Sequence, residues 1–250
     1  MTEQPSISRD VPGWDSLAED IFGLNVRAAR SISALISSPR KIFDAARDPH
    51  WVNRAYTPSI RLFLSIVTFS LLLRVFWAGP DSHMGALFEE VGQVNIAALP
   101  PEIAQYASPR DFIDQMLIGM PIALMLVMLP ASFLLRIWGK GTPAVVRLRL
   151  YFLAAVPGYV ISFLLAFTFE LLPAAVYWIY LTCSTIPIFL ADWFTAFRGG
   201  VGATSRSGRV GKSFLFAVTN FLAYVMSSIL MSIYASFMVA LNATRAAGAA

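Results

Sequence analysis

The sequence is poor in the residues that most often carry chemistry. Of its 250 residues one is cysteine and two are histidine. The lone Cys183 excludes an intramolecular disulfide and implies no thiolate metal site. His50 and His83 are expected on opposite sides of a membrane, so neither a histidine metal cluster nor a Ser-His pair can be assembled. An intramembrane Ser-Lys dyad lacks its base, because Lys41, Lys140 and Lys212 all fall in polar connecting segments. The run Gly208-Arg209-Val210-Gly211-Lys212-Ser213 invites a phosphate-loop reading, but Arg206 stands where the first glycine is needed and no strand precedes it. It reads as a flexible basic loop. The composition therefore leads to an expectation of no enzyme, no cofactor and no metal.

Apolar residues are abundant instead. They make up 57 % of the chain against 14 % charged, with a mean hydropathy of +0.63, which places it among membrane proteins. The apolar stretches fall at about residues 58–77, 112–135, 150–169, 173–191 and 213–241. Each reaches the roughly 20 helical residues that cross a hydrocarbon core. The expected fold is an all-α membrane protein of five transmembrane helices, with an N-terminal amphipathic cytoplasmic region over residues 1–57 and a short external tail over 242–250. No short apolar segment of signal-peptide type opens the chain. Leu171 to Pro173 separates the third and fourth stretches as a tight hairpin, since together they are too long for one crossing.

Charge sets the orientation. Arg9, Arg27, Arg30, Arg40, Lys41, Arg47 and Arg54 precede the first span, and Arg136, Lys140, Arg147 and Arg149 join the second to the third. Arg198, Arg206, Arg209 and Lys212 precede the fifth. The loop after the first span has Arg110 against Asp81, Glu89, Glu90, Glu102 and Asp111. The positive-inside rule then puts the N-terminus in the cytoplasm and the C-terminus outside, in the inner membrane if the source is a bacterium. The same rule, with anionic lipid headgroups, accounts for the pI near 9.4, so nucleic acid is not an expected partner. Partners are the bilayer itself and a membrane protein or a second copy.

Within this frame three groups of residues stand out. Trp14, Leu17, Ile21, Leu24, Ala28 and Leu35 recur at three- and four-residue steps and predict an amphipathic helix lying in the interface, or docking a soluble partner. Ser38-Pro39 starts a second short helix. Arg74, Asp114 and Glu170 share a depth near the outer boundary and form either a polar cavity mouth or a set of snorkelling boundary residues. Asp192 and Arg136 occupy the inner boundary and are expected to pair, leaving no charge near the middle of spans two to five. Ser228, Ser232 and Ser236, with Ala223 and Ser227 on an adjoining stripe, predict a close helix-packing face. Pro121, Pro130, Pro157 and Pro187 read as kinks rather than as the broken helices of a transporter. Asn242 opens a glycan acceptor pattern too close to the membrane to signify.

Ile36-Ser-Ser-Pro-Arg-Lys-Ile-Phe-Asp, Trp138-Gly-Lys-Gly-Thr-Pro, the stretch Arg147 to Tyr159 with Pro157, and Trp193 to Gly200 stand in order along the chain. In these segments and in the number of spans the sequence resembles prokaryotic members of the Yip-domain family. The resemblance implies a five-helix membrane domain with a cytoplasmic N-terminus. In eukaryotic relatives the resemblance implies binding of small GTPases, and those relatives carry a D-L-Y-G-P motif before their spans; Asp20-Ile21-Phe22-Gly23-Leu24 lacks the proline and lies far upstream, so that role is not carried across. The sequence leads to a non-enzymatic adaptor or membrane-organising protein, and as an alternative to a small-solute transporter or channel with a polar outer cavity.

Overall fold

The computed structural model describes residues 26–48, 56–77, 79, 81–173 and 176–249. Trp14, Leu17, Ile21 and Leu24 lie outside them. The described residues form helices and no strand: α1 Val26–Ser37, α2 Pro39–Ala46, α3 Ser59–Leu72, α4 Arg74–Trp77, α5 His83–Ala97, α6 Pro101–Ala104, α7 Pro109–Leu134, α8 Ala144–Phe169, α9 Tyr177–Gly199 and α10 Arg206–Ala249. Four of them, α7 to α10, are long and apolar enough to cross a membrane. Residues 58–77, expected as one span, are instead the 14-residue α3 followed after Leu73 by the single turn α4.

The long helices overrun the apolar stretches that announce them. Helix α8 starts six residues before Leu150 and carries Arg147 and Arg149 in its first turns, and α10 begins at Arg206. Hydropathy marks where side chains turn polar, but the i to i−4 backbone ladder continues until something stops it. For α9 the stop is Gly200, whose φ of 87° is the left-handed conformation in which helices commonly end. The four prolines sit inside α7, α8 and α9, all of which continue past them.

Lipid tails are as apolar as leucine, so helices in a bilayer are held by close packing and hydrogen bonds rather than by hydrophobic gain. Helices α8 and α9 run antiparallel: Tyr180 on α9 donates its hydroxyl to the Leu165 carbonyl at 2.9 Å, while Asp192 further along α9 meets Gly158. Helix α10 lies along α7 and also on α9, and α8 packs on α7, closing a four-helix ring with α3 outside it against α8. On α10 the face toward α7 is Ala223, Ser227, Ala235 and Val239, with Ser227 Oγ 3.4 Å from the Ala123 carbonyl. Gly119 of α7 admits the Tyr234 ring, to which a Cβ would approach within 2.7 Å. The serine stripe is thus split. Ala223 and Ser227 are packed; Ser228 is exposed to a cavity and Ser236 reaches Asn95 Oδ1 of α5 at 3.1 Å. A 100° rotation separates Ser227 from Ser228, and only one of the two can face α7.

At the basic end α1 and α2 close the ring. Ala28, Ser31 and Leu35 of α1 are buried, and Ser31 Oγ accepts the Thr57 backbone N–H at 2.9 Å. The face expected to lie among lipid headgroups is, at Ala28 and Leu35, packed against the protein itself. Ser38 stands at the N-cap of α2 with Pro39 in the first turn, although its side chain makes no capping bond. Phe43 of α2 lies on Gly199, where a Cβ would be 2.8 Å from its ring, and on Trp138, with centroids 5.7 Å apart. Trp138, Phe216, Tyr151, Phe152 and Phe63 continue that aromatic plug. The glycine-rich segment is not a flexible loop. Gly202 N–H donates to the Ile137 carbonyl at 2.8 Å, Arg47 donates to the Gly200 carbonyl at 2.8 Å, and Gly208 and Gly211 are helical.

The other end holds a helix the hydropathy pattern does not show. Ser82 caps α5, accepting Gly85 N–H at 2.9 Å, and α5 packs across α7.

Candidate functional site

Inside the ring lie two adjoining cavities of about 260 and 250 Å³ that share Met120, Tyr159, Ser162, Ile188 and Met231. Ser70 of α3 and Met84 and Phe88 of α5 border the upper one. Thr185, Tyr224 and Ser228 border the lower one. Tyr159 stands ten residues before the end of α8, about 15 Å below it at 1.5 Å per residue, so the space extends to mid-depth. The walls are methionine and aliphatic side chains with a scattering of hydroxyls. Flexible thioethers adapt to irregular apolar shapes, and isolated hydroxyls fix orientation.

Below the cavity the same helices bury a polar cluster. Asp192 of α9 is 1 % exposed. Asn220 of α10 donates its Nδ2–H to Asp192 Oδ2 at 2.7 Å and accepts from the Tyr151 hydroxyl at 3.0 Å through Oδ1. Asp192 Oδ1 has no hydrogen-bond partner and lies against Gly158, where a Cβ would be only 2.2 Å away. Glycine at this point of α8 is what lets the carboxyl enter the core. The buried Tyr224 hydroxyl, on the cavity wall one helical turn beyond Asn220, is also without a partner. Tyr159 and Ser70 share a hydrogen bond at 3.1 Å on the opposite wall. Among the described residues no cation pairs with Asp192.

This corrects the expected Asp192–Arg136 pair. Arg136 is exposed at the basic end, whereas Asp192 points into the bundle, seven residues or about 10 Å inside the end of α9. A charge-bearing side chain therefore does lie within a membrane helix. The hydropathy pattern places Asp192 next to Trp193 at an apparent boundary; the residues that receive it, Gly158 and Asn220, sit on two other helices. Asn220 inside an apolar run is the signal available in the sequence.

The expected Arg74, Asp114 and Glu170 group is only partly assembled. Arg74 Nη1 lies 3.0 Å from Asp114 Oδ1, with the side chains 45 % and 42 % exposed. Glu170 is not with them. Its carboxylate accepts the backbone N–H groups of His83 at 2.8 Å and Met84 at 3.1 Å, capping the N-terminus of α5, where negative charge is favoured. None of the three borders the cavities. Pro157 and Pro187 border an apolar groove of about 690 Å³ elsewhere on the bundle, between α1, α8 and α9.

No three His, Cys, Asp or Glu side chains converge among the described residues. Compared with family models, with curated proteins and with solved structures, the chain matches none.

Proposed function

We propose that the chain is a small-solute transporter or channel of the membrane, working through the cavity inside the α7–α10 ring. The observation that carries this reading is the position of that cavity. It runs from the α5 side to mid-depth and ends on Tyr224, above the buried Asp192–Asn220 pair, while the aromatic plug around Trp138 and Phe216 fills the basic end. An apolar, hydroxyl-dotted space, with the Asp192 carboxyl buried beyond the Tyr224 wall rather than lining it, suits a small solute with an apolar body and a cationic or hydrogen-bond-donating end.

The topology that supports it has five crossings. Residues 59–77 in α3 and α4 extend about 28 Å if followed as one helix, enough for the fifth. Arg136, Lys140, Arg147, Arg149, Arg198, Arg206 and Arg209 share one end with Arg40, Lys41 and Arg47. Asp81, Glu89, Glu90, Glu102, Asp111 and Glu170 share the other. That separation supports a cytoplasmic basic end and an external C-terminus.

Reconstitution in liposomes tests the function. Uptake of benzyltrimethylammonium should exceed that of protein-free vesicles, and Ser162→Phe, which fills the shared part of the cavity, should abolish it. Uptake equal to empty vesicles across a series of small cationic and neutral amphipaths would overturn the reading.

A second reading, a non-enzymatic adaptor, is favoured by the exposed cations Arg27, Arg30, Arg40 and Lys41 on α1 and α2 and by the Yip-like segments. Affinity capture of the full chain and of its Arg27→Gln/Arg30→Gln/Arg40→Gln/Lys41→Gln variant tests it. Protein partners that depend on those residues would favour the adaptor.

A further inference from the structure

A separate pocket of about 440 Å³ lies at the basic end, lined by Arg136, Lys140, Arg147 and Lys212 around the backbone of Gly139 and Gly141. It contains no carboxylate, and among the described residues none of its four cations has an ion pair. Of the acids toward this end, Asp44 pairs with Arg40 and Arg47, Asp48 does not line the pocket, and Asp192 is turned into the core onto Asn220. Four like charges around one concavity repel one another, more so at the edge of a low-dielectric bilayer than in water.

Two of the four charges are held in place by the fold. Arg147 donates an Nη1–H to the Phe133 carbonyl at 2.6 Å, leaving its Nε buried without a partner. Lys212 donates to the Gly202 carbonyl. Thr142 Oγ1 donates to the Gly139 carbonyl at 3.1 Å, steadying a turn in which Gly139 and Gly141 both have positive φ. At Gly141 nothing lies within 4 Å of the place a Cβ would take, so the turn offers open backbone as well as cations. A phosphate relieves the repulsion and accepts charge-assisted hydrogen bonds from both arginines and both lysines.

The neighbourhood selects the kind of phosphate. Phe133 and Leu134, at the end of α7, are 44 % and 79 % exposed, and Val145 at the start of α8 is 58 % exposed. Apolar side chains immediately beside the cations, at a membrane boundary, match a ligand that joins a phosphate to acyl chains. We propose that this pocket binds the headgroup phosphate of an anionic phospholipid, with its chains along Phe133, Leu134 and Val145.

The test titrates the purified full chain, in an uncharged detergent, with dioleoylphosphatidylglycerol and follows saturable binding by native mass spectrometry and thermal midpoint. Dioleoylphosphatidylcholine and inorganic phosphate are the two comparison probes. The Arg136→Gln/Lys140→Gln pair removes two exposed cations of the pocket, and Arg27→Gln/Arg30→Gln removes two exposed cations of the same end outside it. At about 1 kcal/mol for each cation that meets the bound phosphate, the pocket pair should weaken phosphatidylglycerol binding by about thirtyfold, and the α1 pair, outside the pocket and in an uncharged detergent, by less than about twofold. Phosphatidylcholine should bind without saturation. Equal weakening by both pairs would overturn the site, leaving only diffuse attraction. Inorganic phosphate competing fully at micromolar concentration would overturn the lipid and assign a free phosphate.

Discussion

Asp114 and Asp192 are both aspartates on membrane helices, and the protein treats them in opposite ways. Asp114 lies near the acidic end of α7, about half exposed, with Arg74 3.0 Å away. Asp192 lies two turns inside α9, almost wholly buried, with an amide instead of a cation and a glycine backbone against its second oxygen. The first arrangement costs little to make and gains little, because water and headgroups screen it. The second requires three helices to present Gly158, Asn220 and Asp192 at one point, and a buried carboxyl is held only by what surrounds it. Position in the bundle, not residue type, separates a boundary charge from a built site.

The largest expected effect follows from taking away the amide. Asn220→Leu leaves Asp192 and the Tyr151 hydroxyl both unpaired and should cost about 3–5 kcal/mol, read as a large fall in the thermal midpoint of the detergent-solubilised protein. Adding Asp192→Leu to that variant should recover much of the loss, since two apolar groups of similar shape replace a broken pair. A double variant no better than the single one would mean that Asn220 acts through packing alone.

Next in size is Gly158→Ala. Its methyl group would meet Oδ1 at 2.2 Å, and pushing the carboxyl or α9 aside should cost about 1–3 kcal/mol. A midpoint unchanged from the parent would show that Asp192 does not sit against α8. The smallest effect is expected at the acidic end. Arg74→Gln and Asp114→Asn should each change stability by about 1 kcal/mol or less, with the difference shrinking further in high salt. A loss as great as that of Asn220→Leu would erase the contrast between the two aspartates.

The same contrast marks what the sequence discloses. Long apolar runs announce α7 to α10, because a helix in lipid must satisfy its own backbone and needs a minimum length. Alternating basic clusters announce the two ends. Helix α5 escapes, since its buried positions are spread among Gly85, Gly92 and partly covered Met84 and Phe88 rather than forming an apolar stripe. Asp192 is misplaced for a related reason. Its neighbours in sequence are those of a boundary, while its neighbours in space come from helices about 30 residues away on either side. Ser227 and Ser228 differ by one position in a run of small residues and both border the cavity, and only the packed partner decides that Ser227 is buried against α7 while Ser228 stays exposed. Glu170 likewise shares a depth with Arg74 but is engaged by the first N–H groups of α5, an element that hydropathy leaves as loop.

The central claim is that the space beside Tyr159 and Tyr224 opens toward the acidic end and is closed toward the basic one. Its most direct measurement is cysteine accessibility, which the single native cysteine makes simple. In a Cys183→Ser background, Ser162→Cys and Ser228→Cys should react with a membrane-impermeant thiol reagent added outside sealed, oriented vesicles, and Ala154→Cys, in the buried plug, should not react from either side. Labelling of Ser162→Cys from the basic side alone, or from neither side, would contradict the account.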